Sequence, residues 1–305
     1  CLTFQRGFPR YVKTGKEPFL QMIGGEMRRK EHSFIICVVF SLTLVLSACS
    51  NGINFDGDDI LYVTSILNSE IVLMDRETGE VLQRLGAEQG VNGPDDVAIA
   101  PDGTLYWTNY SSGEACRRAA DTTTCQLVGA FINPITISDD GRLFVATAMP
   151  PISDALYELD PDLIQAPQRI FNNPGWLNGM DWGPDGFLYA PSWTEANILR
   201  IDVDSCDESE SCDSETIMNG TIAMPAAVKF DSQGNLYALD SSSGQVLQVD
   251  TTTGSSTIIA TLPAGLDNLA FDSEDRLFIS NIISGFVVEI LPDGSTRTVS
   301  GFGPP

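Results

Sequence analysis

Residues 95–109 read DDVAIAPDGTLYWTN, and this stretch decides how the rest of the chain is interpreted. An apolar segment at 97–100 is followed by the turn Pro101-Asp102-Gly103 and by a second apolar segment at 105–109. Aspartate followed by glycine favours a hairpin turn, because both residues tolerate positive φ. The stretch therefore predicts two antiparallel strands joined by a tight turn.

The second predicted strand begins with leucine and an aromatic residue, and this pair recurs along the chain. It occurs at Leu61-Tyr62, Leu105-Tyr106, Leu143-Phe144, Leu188-Tyr189, Leu236-Tyr237 and Leu277-Phe278. The spacing of 38 to 48 residues, filled by short segments that alternate apolar and polar residues, is typical of the four-stranded blades of a propeller. The sequence predicts an all-β fold, a six-bladed β-propeller over residues 58–305.

The first repeat differs from the others, because only three strands are recognisable in it, at 61–65, 71–75 and 81–85. Its inner strand is missing or is supplied from elsewhere in the chain. Closure of the ring must then join the N-terminal strands to the C-terminal repeat, which removes exposed sheet edges.

The segment before the propeller has the features of an export signal. A basic cluster at 27–30 precedes an apolar run at 34–46, and Leu46-Ser47-Ala48-Cys49 follows. The last four residues resemble the bacterial lipobox, whose cysteine is acylated and becomes the first residue of the mature protein. We predict an upstream, non-native segment at 1–26, a signal peptide at 27–48 and a lipidated tether at 49–57. The alternative is an ordinary signal peptide with an incidental cysteine.

The apolar run is too short to remain as a membrane-spanning helix. Ser50 follows Cys49, and in Gram-negative lipoproteins a residue other than aspartate at this position directs the protein to the outer membrane. We therefore expect an exported protein that the lipid on Cys49 alone anchors to the outer membrane.

Four of the seven cysteines lie after the predicted tether, in two close pairs. Each pair flanks a short polar stretch, as expected for hairpins cross-linked in an oxidising compartment. We predict the disulfides Cys116–Cys125 and Cys206–Cys212. The alternative, a metal site, has no histidine partner.

The formal net charge is −24, and all but three of the 41 Asp and Glu residues follow position 48. An acidic surface repels nucleic acid and anionic lipid, so we expect neither as a partner beyond the lipid anchor. We expect a monomer.

In five of the six repeats, one position lies eight residues before the turn glycine, or before Asp275 in the last repeat. It is occupied by Asp95, Asn133, Asn178, Ala226 and Asp267. Inner strands line the central channel of a propeller, so the four oxygen-bearing side chains are expected to converge near the axis. Oxygen ligands without nitrogen or sulfur suit a hard divalent cation, chiefly Ca²⁺. The alternative is hydrogen bonding to the nearby backbone.

Three segments around these positions resemble the senescence marker protein/gluconolactonase family and the related paraoxonases. They are Gly93-Pro94-Asp95-Asp96-Val97, Leu177-Asn178-Gly179-Met180-Asp181-Trp182 and Leu266-Asp267-Asn268-Leu269-Ala270-Phe271. The resemblance implies a six-bladed propeller in which Glu, Asn, Asn and Asp hold one divalent ion that activates lactone or ester hydrolysis. It implies metal ligands here at Asp95, Asn133, Asn178 and Asp267, and the neighbouring Asn268 is a further candidate ligand.

Two positions depart from the family pattern. Asp95 stands where the family has Glu, and Ala226 stands where the family has the Asp of a Pro-Asp-Gly segment. Asp240 belongs to the repeat that has lost its inner acid, so it is a candidate for the missing carboxylate or for the general base. Asp96 is a second candidate base. A solvated loop residue is the alternative for Asp240.

Further residues are expected near the mouth of the channel. The second strand of each blade returns to this face, which makes Asn109 and Asn281 candidates for substrate binding. Trp176 and Trp193 are candidates for an aromatic wall, with blade packing as the alternative.

The only histidine is His32, in the predicted signal peptide. The mature protein therefore cannot use a Ser-His-Asp triad or a His-ligated zinc. Metal-assisted hydrolysis with a carboxylate as base remains. We expect a divalent-metal-dependent hydrolase of a lactone, an ester or a sugar-derived ligand. The alternative is a non-catalytic NHL-like propeller that binds a ligand or protein through the mouth of its channel.

Overall fold

The computed structural model describes residues 2–4, 60–149, 152–219 and 221–301. Cys49, His32, the predicted signal peptide and the predicted tether lie outside the described residues.

The structure consists of six four-stranded sheets, each made of strands that are consecutive in the chain. We number these sheets as blades 1 to 6. The strands are β1 Leu2–Phe4, β2 Ile60–Ser65, β3 Glu70–Asp75 and β4 Val81–Leu85 in blade 1; β5 Pro94–Ile99, β6 Leu105–Asn109, β7 Glu114–Ala119 and β8 Thr122–Leu127 in blade 2; β9 Ile132–Ile137, β10 Leu143–Met149, β11 Ser153–Leu159 and β12 Gln168–Asn172 in blade 3; β13 Asp181–Trp182, β14 Leu188–Ser192, β15 Asn197–Asp202 and β16 Asp213–Asn219 in blade 4; β17 Pro225–Phe230, β18 Leu236–Asp240, β19 Gln245–Val249 and β20 Ser256–Thr261 in blade 5; and β21 Leu266–Phe271, β22 Leu277–Asn281, β23 Phe286–Ile290 and β24 Thr296–Gly301 in blade 6.

This arrangement confirms the predicted six-bladed β-propeller. Two short 3₁₀ helices, Ala87–Gln89 and Val203–Ser205, complete the regular structure of the described residues. Within those residues, no helix combines the length and the apolar character needed to cross a membrane.

Blade 1 obtains its first strand from the N-terminal end of the sequence. Strand β1 pairs antiparallel with β2, with Leu2 opposite Val63 and Phe4 opposite Leu61. It supplies the inner strand that the sequence pattern leaves unassigned, and it does so from the segment that we interpret as upstream of the signal peptide.

The recurring leucine-aromatic pair has a packing explanation. Neighbouring side chains of a strand point to opposite faces of the sheet, and the second strand of each blade lies between two neighbouring blades. In blade 3 both Leu143 and Phe144 are fully buried, and Phe278 of blade 6 is buried in the same way. The pair therefore recurs because this strand must fill apolar space on both of its faces.

The predicted turns have the expected backbone. Gly103, Gly141 and Gly186 all have positive φ, between 83° and 89°. In blade 6, Asp275 replaces the glycine and has a φ of 59°, a region that aspartate tolerates better than most residues.

Side chains close the ring between blades 6 and 1. Asp272 is fully buried, and its Oδ2 lies 2.7 Å from Nη1 of Arg76 and 2.7 Å from Nε of Arg276. Arg297 donates from Nη2 to the carbonyl oxygen of Arg76 at 3.0 Å. Among the described residues, all strands of blade 6 come from the C-terminal repeat, so closure here relies on side chains and not on a shared sheet.

Both predicted disulfides are present. Cys116 is bonded to Cys125 across β7 and β8, where the two residues are direct partners in the strand register. Cys206 is bonded to Cys212 across the loop that leads into β16.

Candidate functional site

The five aligned inner positions lie in register in the ring. Asp95, Asn133, Ala226 and Asp267 are each the second residue of the first strand of their blade. Asn178 precedes the short strand β13 by three residues. Sequence alignment of the repeats therefore identified equivalent places in the fold.

Two of these residues face a common cavity. Asp95 of blade 2 and Asp267 of blade 6 line a cavity of about 250 Å³ that is bounded by blades 1, 2 and 6. Asn133 and Asn178 are not among the described residues that line this cavity. The structure thus brings Asp95 and Asp267 together, whereas Asn133 and Asn178 lie in blades 3 and 4, outside the lining of this cavity.

The electrostatic environment of Asp95 is unfavourable for a negative charge. Burial raises the pKa of Asp95 well above its ordinary value, and the nearby carboxylate of Asp267 raises it further. The adjacent Asp96 acts in the same direction. A bound cation would oppose these effects and stabilise the ionised carboxylate.

The two asparagines have local backbone contacts. Oδ1 of Asn178 accepts a hydrogen bond from the N–H of Gly179 at 3.0 Å. The carbonyl oxygen of Asn133 accepts from Oγ1 of Thr108 at 2.7 Å, and the carbonyl oxygen of Asp95 accepts from Oγ1 of Thr64 at the same distance. Each of these hydroxyls ties one blade to the inner strand of the next.

Within the described residues, no group of three or more His, Cys, Asp or Glu side chains is arranged to hold a metal ion. A cation at this mouth would therefore depend on the Asp95 and Asp267 pair together with amide, carbonyl or water oxygens, which are ordinary ligands for Ca²⁺.

Asp96 and Asn268 form a buried polar network beside the two acids. Asp96 accepts hydrogen bonds from the N–H groups of Val97 at 2.7 Å and of Ile135 at 3.0 Å, and Asn268 Nδ2 lies 3.5 Å from Asp96 Oδ1. Burial raises the pKa of Asp96, while the positive charge of Lys229 and these N–H groups oppose the increase. The network connects the inner strands of blades 2, 3 and 6.

Asn109 and Asn281 each hold the loop before the inner strand of their blade by hydrogen bonds. Asn109 accepts from the N–H of Asn92 and donates to the carbonyl oxygen of Gly90, both in the segment that precedes β5. Asn281 donates to the carbonyl oxygens of Pro263 and Ala264, which precede β21. Both side chains are almost fully buried, and only Asn281 also lines the cavity.

Asp240 is the last residue of the second strand of blade 5, as Asn109 and Asn281 are in blades 2 and 6. Like them, it holds the loop before the inner strand of its blade. Its carboxylate accepts hydrogen bonds from the N–H groups of Ala223 and Met224, before β17, and from the N–H and the hydroxyl of Ser242. Burial opposes ionisation, but these hydrogen bonds leave the pKa of Asp240 below its ordinary value. Asp240 is not among the described residues that line the cavity.

The tryptophan pair lies in blade 4, with the two ring centroids 5.8 Å apart. The backbone N–H of Trp176 donates to Asp154 at 2.9 Å, and Trp193 packs against the apolar cluster that contains Ala226. Neither tryptophan is among the described residues that line the cavity.

Blades 4 and 5 approach closely at Ala227. Gly179 forms a parallel bridge with Ala227. A Cβ on Gly179 would lie 2.5 Å from the Cβ of Ala227, so position 179 has no room for a side chain. The acid that the family pattern has at position 226 is replaced by an apolar contact, since Ala226 is 2% exposed.

The sequence pattern missed the apolar side of the cavity. Ile66 and Leu67 from blade 1, and Ile282 and Phe286 from blade 6, line it together with the two acids. The signal was present, because two of the turns between second and third strands carry adjacent large apolar residues, Ile66-Leu67 and Ile282-Ile283.

Comparison with known proteins gave one family match. The family model described as SMP-30/Gluconolactonase/LRE-like region matches residues 50–282. A search of curated proteins gave no match.

Solved structures share the fold at low sequence identity. A gluconolactonase from Xanthomonas campestris is 20% identical, with 73% of this chain and 79% of that chain covered and a TM-score of 0.57. The calcium-binding protein regucalcin from Agrobacterium tumefaciens is 18% identical, with 67% and 72% covered and a TM-score of 0.53. A catalytically inactive histidine-to-alanine variant of virginiamycin B lyase from Staphylococcus aureus is 16% identical, with 69% and 71% covered and a TM-score of 0.54.

Proposed function

Because the chain belongs to the SMP-30/gluconolactonase/LRE-like family, we propose that it is a divalent-metal-dependent hydrolase of lactones or esters, anchored at the cell envelope. The observation that carries the proposal is the pair of acids, Asp95 and Asp267, that two different blades bring to one cavity.

This pair fits a hard divalent cation. Both side chains offer only oxygen ligands. Burial and the charge of Asp267 raise the pKa of Asp95, and a bound cation would oppose both effects. Asp95 and Asp267 would hold the ion, and the amide candidates are Asn133 of blade 3, Asn178 of blade 4 and Asn268, which follows Asp267 in blade 6. Ca²⁺ is our first choice of ion.

When bound, a divalent ion supplies Lewis-acid chemistry, which polarises an ester or lactone carbonyl. The side chains of the protein have separate tasks. Because burial and the charge of Asp267 raise the pKa of Asp95, a bound cation would lower that pKa again, and any proton held by Asp95 would be released. Asp96 is a positioning residue, because its carboxylate holds the N–H of Ile135 and lies beside the amide of Asn268. We assign Asp240 to loop fixation and leave it out of the chemistry.

We also propose that Cys49 is lipidated and attaches the protein to the outer membrane. Cleavage before Cys49 would separate β1 from the ring and remove the strand that lies beside β5 and β21, the strands of Asp95 and Asp267. Blade 1 of the processed protein would then retain β2, β3 and β4, the three strands that the sequence pattern predicts for this repeat.

The second candidate is a non-catalytic propeller that binds a ligand or a protein through the same mouth. The apolar contact of Ala226 in place of the family acid favours it. In that case the two acids would bind a cation without any turnover of substrate.

Hydrolysis of a panel of sugar, alkyl and aryl lactones and esters tests the proposal. The purified protein should hydrolyse at least one of them, lose activity when a chelator removes the metal and regain it with Ca²⁺ or another divalent ion. Asp267→Asn should abolish activity while the fold is retained, whereas Asp139→Asn, a change at an exposed acid, should have no effect. Specific metal binding without turnover of any panel member would favour the binding propeller.

A further inference from the structure

The cavity that contains the two acids has an apolar rim. We use this name for Ile66, Leu67, Ile282 and Ile283, which lie in the β2–β3 turn of blade 1 and the β22–β23 turn of blade 6. Leu67 is 67% exposed, Ile282 48% and Ile283 64%. Three of the four line the cavity directly, and the side chain of Ile283 lies over Gly265, at the start of the segment that leads to Asp267.

The propeller fold does not require apolar residues at these positions. The equivalent turn in blade 5 is Ser241-Ser242-Ser243, and in blade 2 it begins Tyr110-Ser111-Ser112. The backbone turn is thus compatible with serine. The large apolar pairs are found on blades 1 and 6, the two blades whose turns border the cavity.

The polar side chains of the cavity are already engaged with the protein. Thr64 donates to the carbonyl oxygen of Asp95, Ser280 exchanges hydrogen bonds with the backbone of Asn268, and Asn68 donates to Ser65. Asn281 uses its amide for the loop before β21 and its oxygen for the N–H groups of Ile283 and Ser284. A polyhydroxylated ligand would find few groups here to replace its hydrogen bonds to water, which makes its burial costly.

The size of the cavity and the charge of the protein further restrict the chemical class of the ligand. About 250 Å³ is below the usual range of roughly 300–1,000 Å³ for small-molecule pockets, so the cavity holds a small reacting group while the rest of the ligand extends over the rim. The net charge of −24 disfavours an anionic ligand.

We propose that the substrate is an uncharged lactone or ester with an apolar alkyl or acyl arm, which lies between Ile66-Leu67 and Ile282-Ile283 while the carbonyl faces Asp95 and Asp267. The inference rests on the proposed hydrolase function and specifies its substrate class. The hydrophobic effect supplies the recognition, because the arm and the exposed rim are removed from water together.

A chain-length series tests this assignment by binding and by turnover. Butyrolactams with linear alkyl arms from propyl to nonyl cannot be hydrolysed readily, and their affinity for the purified full-length protein is measured by calorimetry. A fully buried methylene contributes a factor of about four in affinity. Because the rim is open on one side, we expect the affinity to increase about two-fold per methylene. The matching butyrolactones should show the same trend in kcat/KM.

The test variant is Leu67→Ser with Ile283→Ser, which gives both turns the side chain that blade 5 has at the equivalent position. These residues are largely exposed, so the fold should be retained. Ile152→Ser is the matched control, because Ile152 is 68% exposed and is not among the described residues lining the cavity. The increase of lactam affinity and of kcat/KM with arm length should be lost or reduced in the double variant and should persist in the control.

The outcomes separate the two proposals. Gluconolactone hydrolysed better than every alkyl lactone, or lactam affinity independent of arm length, would overturn the apolar-arm assignment and leave the hydrolase intact. Lactam affinity that increases with arm length, without turnover of any lactone, would support the apolar site and refute the hydrolase. A double variant that loses binding to neutral lipid vesicles but keeps its lactam affinities would identify the rim as a membrane contact and overturn the assignment.

Discussion

Replacing Asp272 by alanine should destabilise the protein by about 3 kcal/mol, because it removes the buried acid at the junction of blades 6 and 1. Oδ2 of Asp272 contacts two arginines at 2.7 Å, and Oδ1 accepts from the N–H groups of Glu274 and Arg276 at 2.9 Å each. The side chain of Arg76 is only 7% exposed, so the substitution leaves a buried cation without its main partner.

Loss of one partner of a buried pair costs about 3–5 kcal/mol. The lower end applies here, because Glu274 lies 3.7 Å from Arg76 and can compensate in part. For a domain of this size the loss corresponds to a decrease of roughly 6–12 °C in melting temperature.

Urea unfolding and thermal melting of Asp272→Ala measure this loss. Glu274→Ala is the control, since that side chain is 66% exposed and should cost less than about 0.5 kcal/mol. The double variant Arg76→Met with Asp272→Leu should recover part of the loss, because apolar residues can replace a buried ion pair. A cost below about 1 kcal/mol for Asp272→Ala would refute the view that this ion pair closes the ring.

Three further predictions concern single residues. Burial and Asp267 raise the pKa of Asp95 in the folded state above its unfolded value of about 3.9. The metal-free protein should therefore lose stability as the pH rises from the unfolded-state pKa to the folded-state pKa. Urea unfolding of Asp95→Asn should show a smaller loss of stability over this pH range, and an equal loss would contradict the raised pKa of Asp95. Asp240→Ala should cost about 2–3 kcal/mol, since four donors lose a charged acceptor; a variant with normal melting and no lactone hydrolysis would show instead that Asp240 is catalytic. Cys49→Ala should release the protein from the membrane fraction or stall its processing, and unchanged membrane attachment of a normally processed protein would exclude the lipid anchor.

The repeat pattern predicted the fold because blade packing is periodic. The leucine-aromatic pair must fill space on both faces of the second strand, as at Leu143 and Phe144, and the turn residues must adopt positive φ, as at Gly103. Requirements of this kind recur in every blade and are visible in the sequence.

The roles of individual polar residues could not be predicted in the same way. Alignment places Asn109 and Asp240 correctly at the end of the second strand. It does not show that their oxygens are used by the loops before β5 and β17. Such contacts join residues 16 or more positions apart and depend on how each loop returns to the ring. The cavity was missed for a related reason, because it lies where blade 6 meets blade 1 and its two walls come from opposite ends of the propeller sequence.

The central claim is that Asp95 and Asp267 hold one divalent cation at the mouth of the ring. Calorimetric titration of the metal-stripped protein with Ca²⁺, repeated in two buffers of different ionisation enthalpy, tests it most directly. We predict saturable binding of one ion, with proton release that increases as the pH is lowered, because the ion binds the ionised carboxylate of Asp95. Asp95→Asn should bind more weakly without proton release, and Asp267→Asn should not bind detectably. Binding that survives both substitutions and disappears with added sodium chloride would be diffuse attraction to the acidic surface and would contradict the claim.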